Sequence, residues 1–324
     1  MAEYVLGIDG GNSKTEVVVA TTDGEILART RGPGVRSPLG AIDQWRDDLV
    51  RLVVAAQAEA GIAPDTRAAS AAYFLANVDL PVEHEIARRE LPAVTAAEVT
   101  VVHNDTLAVL RAGARQRWGI AVVAGAGINA VGVGPDGRTE GFLALGDITG
   151  DFGGGQQLGV LGLGAAMRAV DGRGPATALA AAVPAHFALP SPESVAVAVH
   201  HGEIEYEDLH VLAPVVFAAA RDGDPVAIGI LSLFADEVAV MAVTLIRRLG
   251  LTGADVEVVL GGGAMRNGYP DFLRLVESGV AAVAPRAEVS LLDVVPVYGA
   301  LVEAFDQAGA DPDGLRRLRP TMVY

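Results

Sequence analysis

Apolar residues recur along this chain in two different periods, and the changes of period mark its elements. Residues 4–9 form a short apolar run ending in a glycine-rich turn, and residues 16–21 (EVVVAT) form a second run dense in β-branched side chains. Together they predict a hairpin. Thr22-Asp23-Gly24 carries turn chemistry, so residues 25–31 extend it to three antiparallel strands. The period then changes. Ser37-Pro38 resembles an N-cap with proline at the first helical position, and Ile42, Trp45, Leu49, Leu52, Val53 and Ala56 follow at spacings of mostly three and four. This predicts a helix with one buried face, Trp45 and its neighbours being core. Strands are expected at 68–75 and 99–103, the second running through Asn104-Asp105 into a helix that ends near 115.

The first half thus reads βββαβα, and the same grammar restarts at Gly119. Residues 120–124, 129–134 and 138–142 read as three strands, with a glycine-rich turn after the first and Gly134-Pro135-Asp136-Gly137 after the second. Long helices follow, then a strand at 256–260, a helix from about Pro270, a strand at 289–292 and a last helix over 297–307. An internal duplication, with extra helices in the second copy, is the simplest account. The expected fold class is therefore α/β with duplicated βββαβα units. The expected domains are 1–117, with the last helix (about 297–324) a candidate to pack back on it, and 118–296.

Composition narrows the function. A chain of 324 residues accommodates two cores, so a cleft between two domains is expected. A formal charge of −16 repels nucleic-acid backbones and anionic membrane surfaces. The absence of cysteine removes disulfides, thiol nucleophiles and cysteine-ligated iron–sulfur clusters. No signal or transit segment is readable, and the apolar stretch 225–249 is interrupted by Asp236, Glu237, Arg247 and Arg248, which predicts a buried helix of a cytoplasmic protein. His200-His201 reads as a solvated helix end, and Arg316, Arg317 and Arg319 as a charged tail.

Five segments carry candidate chemistry. In GIDGGNSKT (7–15) the glycines admit a phosphate to the backbone, Ser13, Lys14 and Thr15 offer donors, and Asp9 can hold magnesium through water. The segment has neither Walker nor Rossmann spacing. Gly125-Ala126-Gly127 occupies the equivalent turn of the second repeat. Asp105 stands where a strand meets a helix, as a helix cap or as a general base for an attacking hydroxyl. The acidic glycine-rich loop at 146–155 suits ligand contact or a surface lid, and Gly261-Gly262-Gly263 follows a strand where an adenosine could lie on bare backbone.

In this order the segments resemble the N-acetylglucosamine kinase-like branch of the BadF/BadG/BcrA/BcrD ATPase family, within the actin/hexokinase superfamily. GIDGGNSKTE is similar to its first phosphate motif, VVAGAGINAVG to the second, VVLGGGAMRNG to the adenosine motif, NDT to the catalytic aspartate segment, GDITGDFGGGQQLG to the sugar-loop motif and PVYGALVEA to the closing helix. The resemblance implies a two-lobed, ribonuclease-H-like ATPase fold and a homodimeric kinase that uses ATP and Mg2+ to phosphorylate a small sugar. It implies Asp105 as general base and Asp9 as the magnesium-side carboxylate. Gly10, Gly11, Asn12, Ser13, Lys14, Thr15, Gly125, Ala126 and Gly127 would line the phosphates, and Gly261, Gly262 and Gly263 the adenosine. Gly34, Ser37, Asn77, Asn104, Asp105, Gly127 and Asp151 would meet the sugar. The chain departs from the family where substrate is chosen: Ala126 and Ile128 replace hydroxyl residues, Leu145 a tryptophan and Asn77 a glycine, and the loop 32–37 lacks its usual asparagine. Alternative readings are a non-catalytic sugar or nucleotide sensor and an ATPase activator of a reductase, the latter disfavoured by the missing cysteines.

Overall fold

The computed structural model describes residues 3–35, 37–39, 41–63, 66–267 and 269–324. The elements are β1 (Tyr4–Gly10), β2 (Lys14–Thr21), β3 (Ile26–Pro33), α1 (Ile42–Glu59), β4 (Ala68–Leu75), α2 (Pro81–Glu90), β5 (Ala97–Asn104) and α3 (Asp105–Gly113). They continue with β6 (Gly119–Ala124), β7 (Ile128–Val133), β8 (Thr139–Gly141), α4 (Gly154–Val170), α5 (Leu179–His186), α6 (Pro192–His200), α7 (Ala213–Arg221) and α8 (Pro225–Arg248). The chain closes with β9 (Glu257–Gly261), α9 (Pro270–Ala281), β10 (Glu288–Leu291), α10 (Val297–Ala308) and α11 (Pro312–Leu318).

Two compact units result, one of residues 1–117 with 292–324, the other of 118–291. In the first, the sheet order is β3-β2-β1-β4-β5, with β1, β2 and β3 antiparallel and β4 and β5 added parallel to β1. In the second, the order β8-β7-β6-β9-β10 repeats that pattern strand for strand. The predicted duplicated α/β fold is therefore present, its insertion being the helices α4 to α8. β1 and β4 are buried along their whole length, which is why both read as continuous apolar runs rather than alternating ones.

Three expectations are corrected. α1 begins at Ile42 with Ala41 at its N-cap; the Ser37 hydroxyl instead accepts from the Leu39 amide at 3.2 Å, a local turn. α2 was absent from the βββαβα reading, because its buried residues are only Glu83, Ile86 and Ala87 on a strongly polar helix. The basic residues near the end are not a loose tail. They belong to α11 and the turn after it, where Arg317 donates to the Asp23 carbonyl (2.9 Å) and Arg319 pairs with Asp293 (2.8 Å). α10 packs on β1, β4 and α3, and the Ser70 hydroxyl donates to the Ala304 carbonyl at 2.6 Å. α8 is long and apolar enough to cross a membrane, but twelve of its side chains, among them Leu231, Phe234, Val238 and Ile246, are buried in the core of the second unit.

Candidate active site

In the first unit the parallel strands deliver their C-terminal ends to one edge of the sheet, and the chemistry collects there. Asp9 is the second-last residue of β1, paired across the hairpin with Glu16, and β5 runs directly into α3. Asn104 is the cap of that helix, its Oδ1 accepting from the Thr106 amide at 3.0 Å. Asp105 is therefore the first helical residue, the cap position itself being filled by Asn104. Asp105 is pushed up to about 7 by burial and by the Asp79 carboxylate, against the lowering effect of backbone donors at Thr106 and Asp105 itself. Asp9 is pushed up to about 8 by burial, then by Asp105; Lys14 opposes this, and Glu16 adds to it. The Glu16 Oε2 atom is buried without a hydrogen-bond partner among the described residues, Lys14 Nζ being 3.9 Å away.

The first phosphate turn is tied into this edge. The Val35 amide donates to the Gly11 carbonyl (3.0 Å), and the Ala76 amide to the Gly10 carbonyl (2.7 Å). Asn77 has a left-handed backbone, φ 59°, a conformation asparagine tolerates better than most residues. That places its Nδ2 to donate both to Asn12 Oδ1 (2.8 Å) and to the Val35 carbonyl (3.0 Å). Gly34 is required here by space, since a Cβ on it would lie 1.9 Å from the Asn12 carbonyl oxygen. The amides of Asn12 and Ser13 make no hydrogen bond within the described residues, which leaves two donors side by side for an anion.

A second line of bonds runs from the loop after β3 to Asp105. The Ser37 hydroxyl donates to Glu83 Oε1 at 3.2 Å, and Glu83 Oε2 accepts from the amides of Asp79 (3.0 Å) and Leu80 (2.9 Å). Asp79 Oδ1 in turn accepts from Asn104 Nδ2 at 2.8 Å. Asp79 and Glu83 were not singled out from sequence. The available signal was Leu80-Pro81 with Glu83 three residues after Leu80, proline at the first helical position and a glutamate able to reach back to the cap. Arg36, within the loop 32–37, lies outside the described residues, as does Gly268 of the adenosine motif.

Two of the selected side chains are engaged elsewhere. The buried Thr15 hydroxyl donates to the Pro33 carbonyl at 2.7 Å, so it fastens β2 to β3. Asp151 Oδ2 accepts from Thr149 Oγ1 (2.6 Å) and from the Gly146 amide (3.0 Å), folding its own loop. Glu237 of α8 is near enough that Asp151, after burial, raises its pKa.

In the second unit, Gly125, Ala126 and Gly127 form the turn between β6 and β7. The carbonyls of Gly125 and Ala126 accept from the amides of Gly155 (2.8 Å) and Gln156 (2.9 Å) at the start of α4, while the three turn amides make no hydrogen bond within the described residues. Gly262 (φ 95°) brings the turn after β9 against the same strand end, where a Cβ would lie 2.2 Å from the Ala124 carbonyl oxygen. The two glycine turns 125–127 and 261–263 are thus neighbours.

No group of three or more acidic or histidine side chains forms a ready metal cage among the described residues. The donor set nevertheless fits magnesium, which keeps several waters and takes one or two carboxylates plus substrate phosphates. Asp9, crowded by Asp105 and Glu16, gains from a nearby divalent charge.

The chain matches the BadF/BadG/BcrA/BcrD ATPase family over residues 6–304. It belongs to that family. Among relatives, the N-acetylmuramic acid/N-acetylglucosamine kinase of Clostridium acetobutylicum is 26% identical over 266 residues, 82% of this chain and 86% of the relative. The N-acetyl-D-glucosamine kinase of Dictyostelium discoideum is 24% identical over 316 residues, 94% of this chain and 98% of the relative. The fold is shared with a ROK family glucokinase from Streptomyces griseus solved with glucose and AMPPNP (TM-score 0.57, 18% identity, 95% of this chain and 100% of that one).

Proposed function

We propose that this family member is an ATP-dependent sugar kinase that phosphorylates a hydroxyl of N-acetylglucosamine, glucosamine or a related hexosamine. The observation that carries the reading is Asp105: a buried carboxylate at the start of α3, with a pKa of about 7, beside Asp9. A base of that strength is half ionised at neutral pH and accepts a proton readily in the transition state. The names of the two relatives support the substrate class.

In this reading Asp105 takes the proton of the attacking sugar hydroxyl as the new O–P bond forms and ADP leaves. Asn104 and the loop carrying Gly34 and Ser37 orient the acceptor, with Asn77 holding that loop to the phosphate turn. The unpaired amides at 12–13 and 125–127, with Lys14, bind ATP phosphate oxygens, and the backbone at Gly261, Gly262 and Gly263 lies along the adenosine. Asp9, through water, is the residue that would hold magnesium, whose role when bound is to neutralise phosphate charge. Asp151 is the further residue proposed to meet the sugar. A cytoplasmic homodimer is part of the same proposal.

The test is sugar-stimulated ADP release across hexoses, hexosamines and N-acetylhexosamines, with Asp105→Asn alongside. Turnover in that variant is expected to fall by roughly two to four powers of ten with little change in ATP affinity. Absence of sugar-stimulated release from the wild-type protein favours a non-catalytic binding role and rejects the kinase reading.

A further inference from the structure

Glu83 does more than its place in α2 requires. As the third residue of that helix it closes the N-terminus with one oxygen, Oε2 accepting from the amides of Asp79 (3.0 Å) and Leu80 (2.9 Å). Glutamate is seldom buried unless it is paired, yet Glu83 is 6% exposed. Its other oxygen accounts for the burial: Oε1 accepts at 3.2 Å from the hydroxyl of Ser37, 46 positions earlier in the chain. Closing the helix does not need that bond.

The surroundings of the bond show what it holds. Among the described residues, the loop 34–39 after β3 is hydrogen-bonded to the rest of the first unit at Val35 and at Ser37. At Val35 the amide donates to the Gly11 carbonyl and the carbonyl accepts from Asn77; at Ser37 the partner is Glu83. Both side chains that grip the loop, Asn77 and Glu83, come from the segment 77–83, which joins β4 to the first turn of α2. The same segment carries Asp79, whose Oδ1 accepts from Asn104, the residue before Asp105. With the Ser37 bond in place, the loop and the start of α3 are referred to one short piece of backbone. Without it, the loop keeps its anchor at Val35 and gains freedom beyond it.

We infer that Glu83 is a positioning residue for the acceptor: through Ser37 it fixes the acceptor loop relative to Asp105, so that a sugar seated on the loop presents its hydroxyl to the base. The inference rests on the sugar-kinase reading and deepens it. Transfer to an alcohol depends on holding the attacking oxygen in a reactive geometry, which is what a loop fixed at both ends supplies.

The test separates the two oxygens of Glu83. Ser37→Ala removes the loop bond and leaves the helix closed, and is expected to lower kcat/KM for the acceptor roughly three- to tenfold with KM for ATP unchanged. Glu83→Ala is expected to lower it at least as far. Glu83→Gln still offers an oxygen to the two amides and an N–H to Ser37, and is expected to recover most of that loss. Because the two residues act through one bond, Ser37→Ala combined with Glu83→Ala is expected to be no worse than Glu83→Ala alone. Should Glu83→Ala not fold, Glu83→Asp replaces it: it keeps the charge at the helix start and is one methylene too short to span both partners.

An unchanged kcat/KM for the acceptor in Ser37→Ala, or an equal rise in KM for ATP, overturns the inference. So do additive losses in the double variant, which would make Ser37 a direct sugar contact independent of Glu83. Calorimetric titration with N-acetylglucosamine and glucosamine, without ATP, reads the same placement with no turnover. If the wild-type protein phosphorylates no sugar yet binds one of them with an affinity that Glu83→Asp weakens and Glu83→Gln restores, the kinase reading fails and the positioning role stands. Sugar-stimulated ADP release with acceptor parameters unmoved in the Glu83 variants does the reverse, and a wild-type protein that neither binds nor phosphorylates either sugar removes both.

Discussion

Asn104 donates from Nδ2 to Asp79 Oδ1 at 2.8 Å while its own Oδ1 caps α3, so a single amide joins the helix that begins with Asp105 to the carboxylate that raises the Asp105 pKa. Asp79→Asn keeps an oxygen to accept that bond and removes the charge. The acidic limb of the pH–rate profile is then expected to move down by roughly one unit from about 7, with kcat on the plateau lower because the base is weaker. An unmoved limb would separate Asp79 from the titration of Asp105.

Asp9 makes stability depend on pH in a definite direction. Its folded pKa, about 8, lies above the ordinary 3.8, so the folded protein holds that proton more tightly than the unfolded chain. The resulting stabilisation is complete below about pH 4 and is lost as pH rises through about 8. Ligand-free protein is expected to melt lower at pH 8.5 than at pH 5.5, and Asp9→Asn to recover part of the difference, on the order of a few degrees in Tm. A steeper loss in Asp9→Asn than in wild type would contradict the assignment.

Asn77 combines a backbone requirement with two hydrogen bonds, and two substitutions separate them. Asn77→Gly accepts φ 59° and loses the bonds to Asn12 and Val35; Asn77→Ala loses the bonds and also strains the backbone. In urea unfolding, Asn77→Ala is expected to be less stable than Asn77→Gly by about 1 kcal/mol. Both are expected to raise KM for ATP, because Asn77 holds the phosphate turn through Asn12.

The strand framework was legible because buried strands advertise themselves: the runs at β1, β2, β4, β6 and β9 are apolar over most of their length, and the glycine turns punctuate them. α2 was not, since a helix that buries three residues leaves little periodicity, and with it went Glu83 and the bond path through Asp79. Likewise the sequence marks Thr15 and Asp151 as polar residues in the right segments but cannot show that their side chains bond to Pro33, Thr149 and Gly146. Side-chain hydrogen bonds between distant residues depend on the folded register, which composition and period do not encode.

Arg111 anchors the helix that carries Asp105. From α3 it pairs with Glu303 (3.0 Å) and with Asp306, both on α10, and Arg117 also reaches Asp306 (2.7 Å). Arg111 and Glu303 are largely buried, with side-chain exposures of 12% and 15%. Arg111→Ala leaves Glu303 facing an emptied, poorly hydrated space and Asp306 with only the exposed Arg117, which is expected to cost about 3 kcal/mol in urea unfolding. Arg111→Ala combined with Glu303→Gln and Asp306→Asn removes the stranded charges along with their partner and is expected to regain most of that loss. A triple variant as unstable as the single one would show that Arg111 acts through packing of its stem rather than through the ion pairs, and α3 would then be held by apolar contact alone.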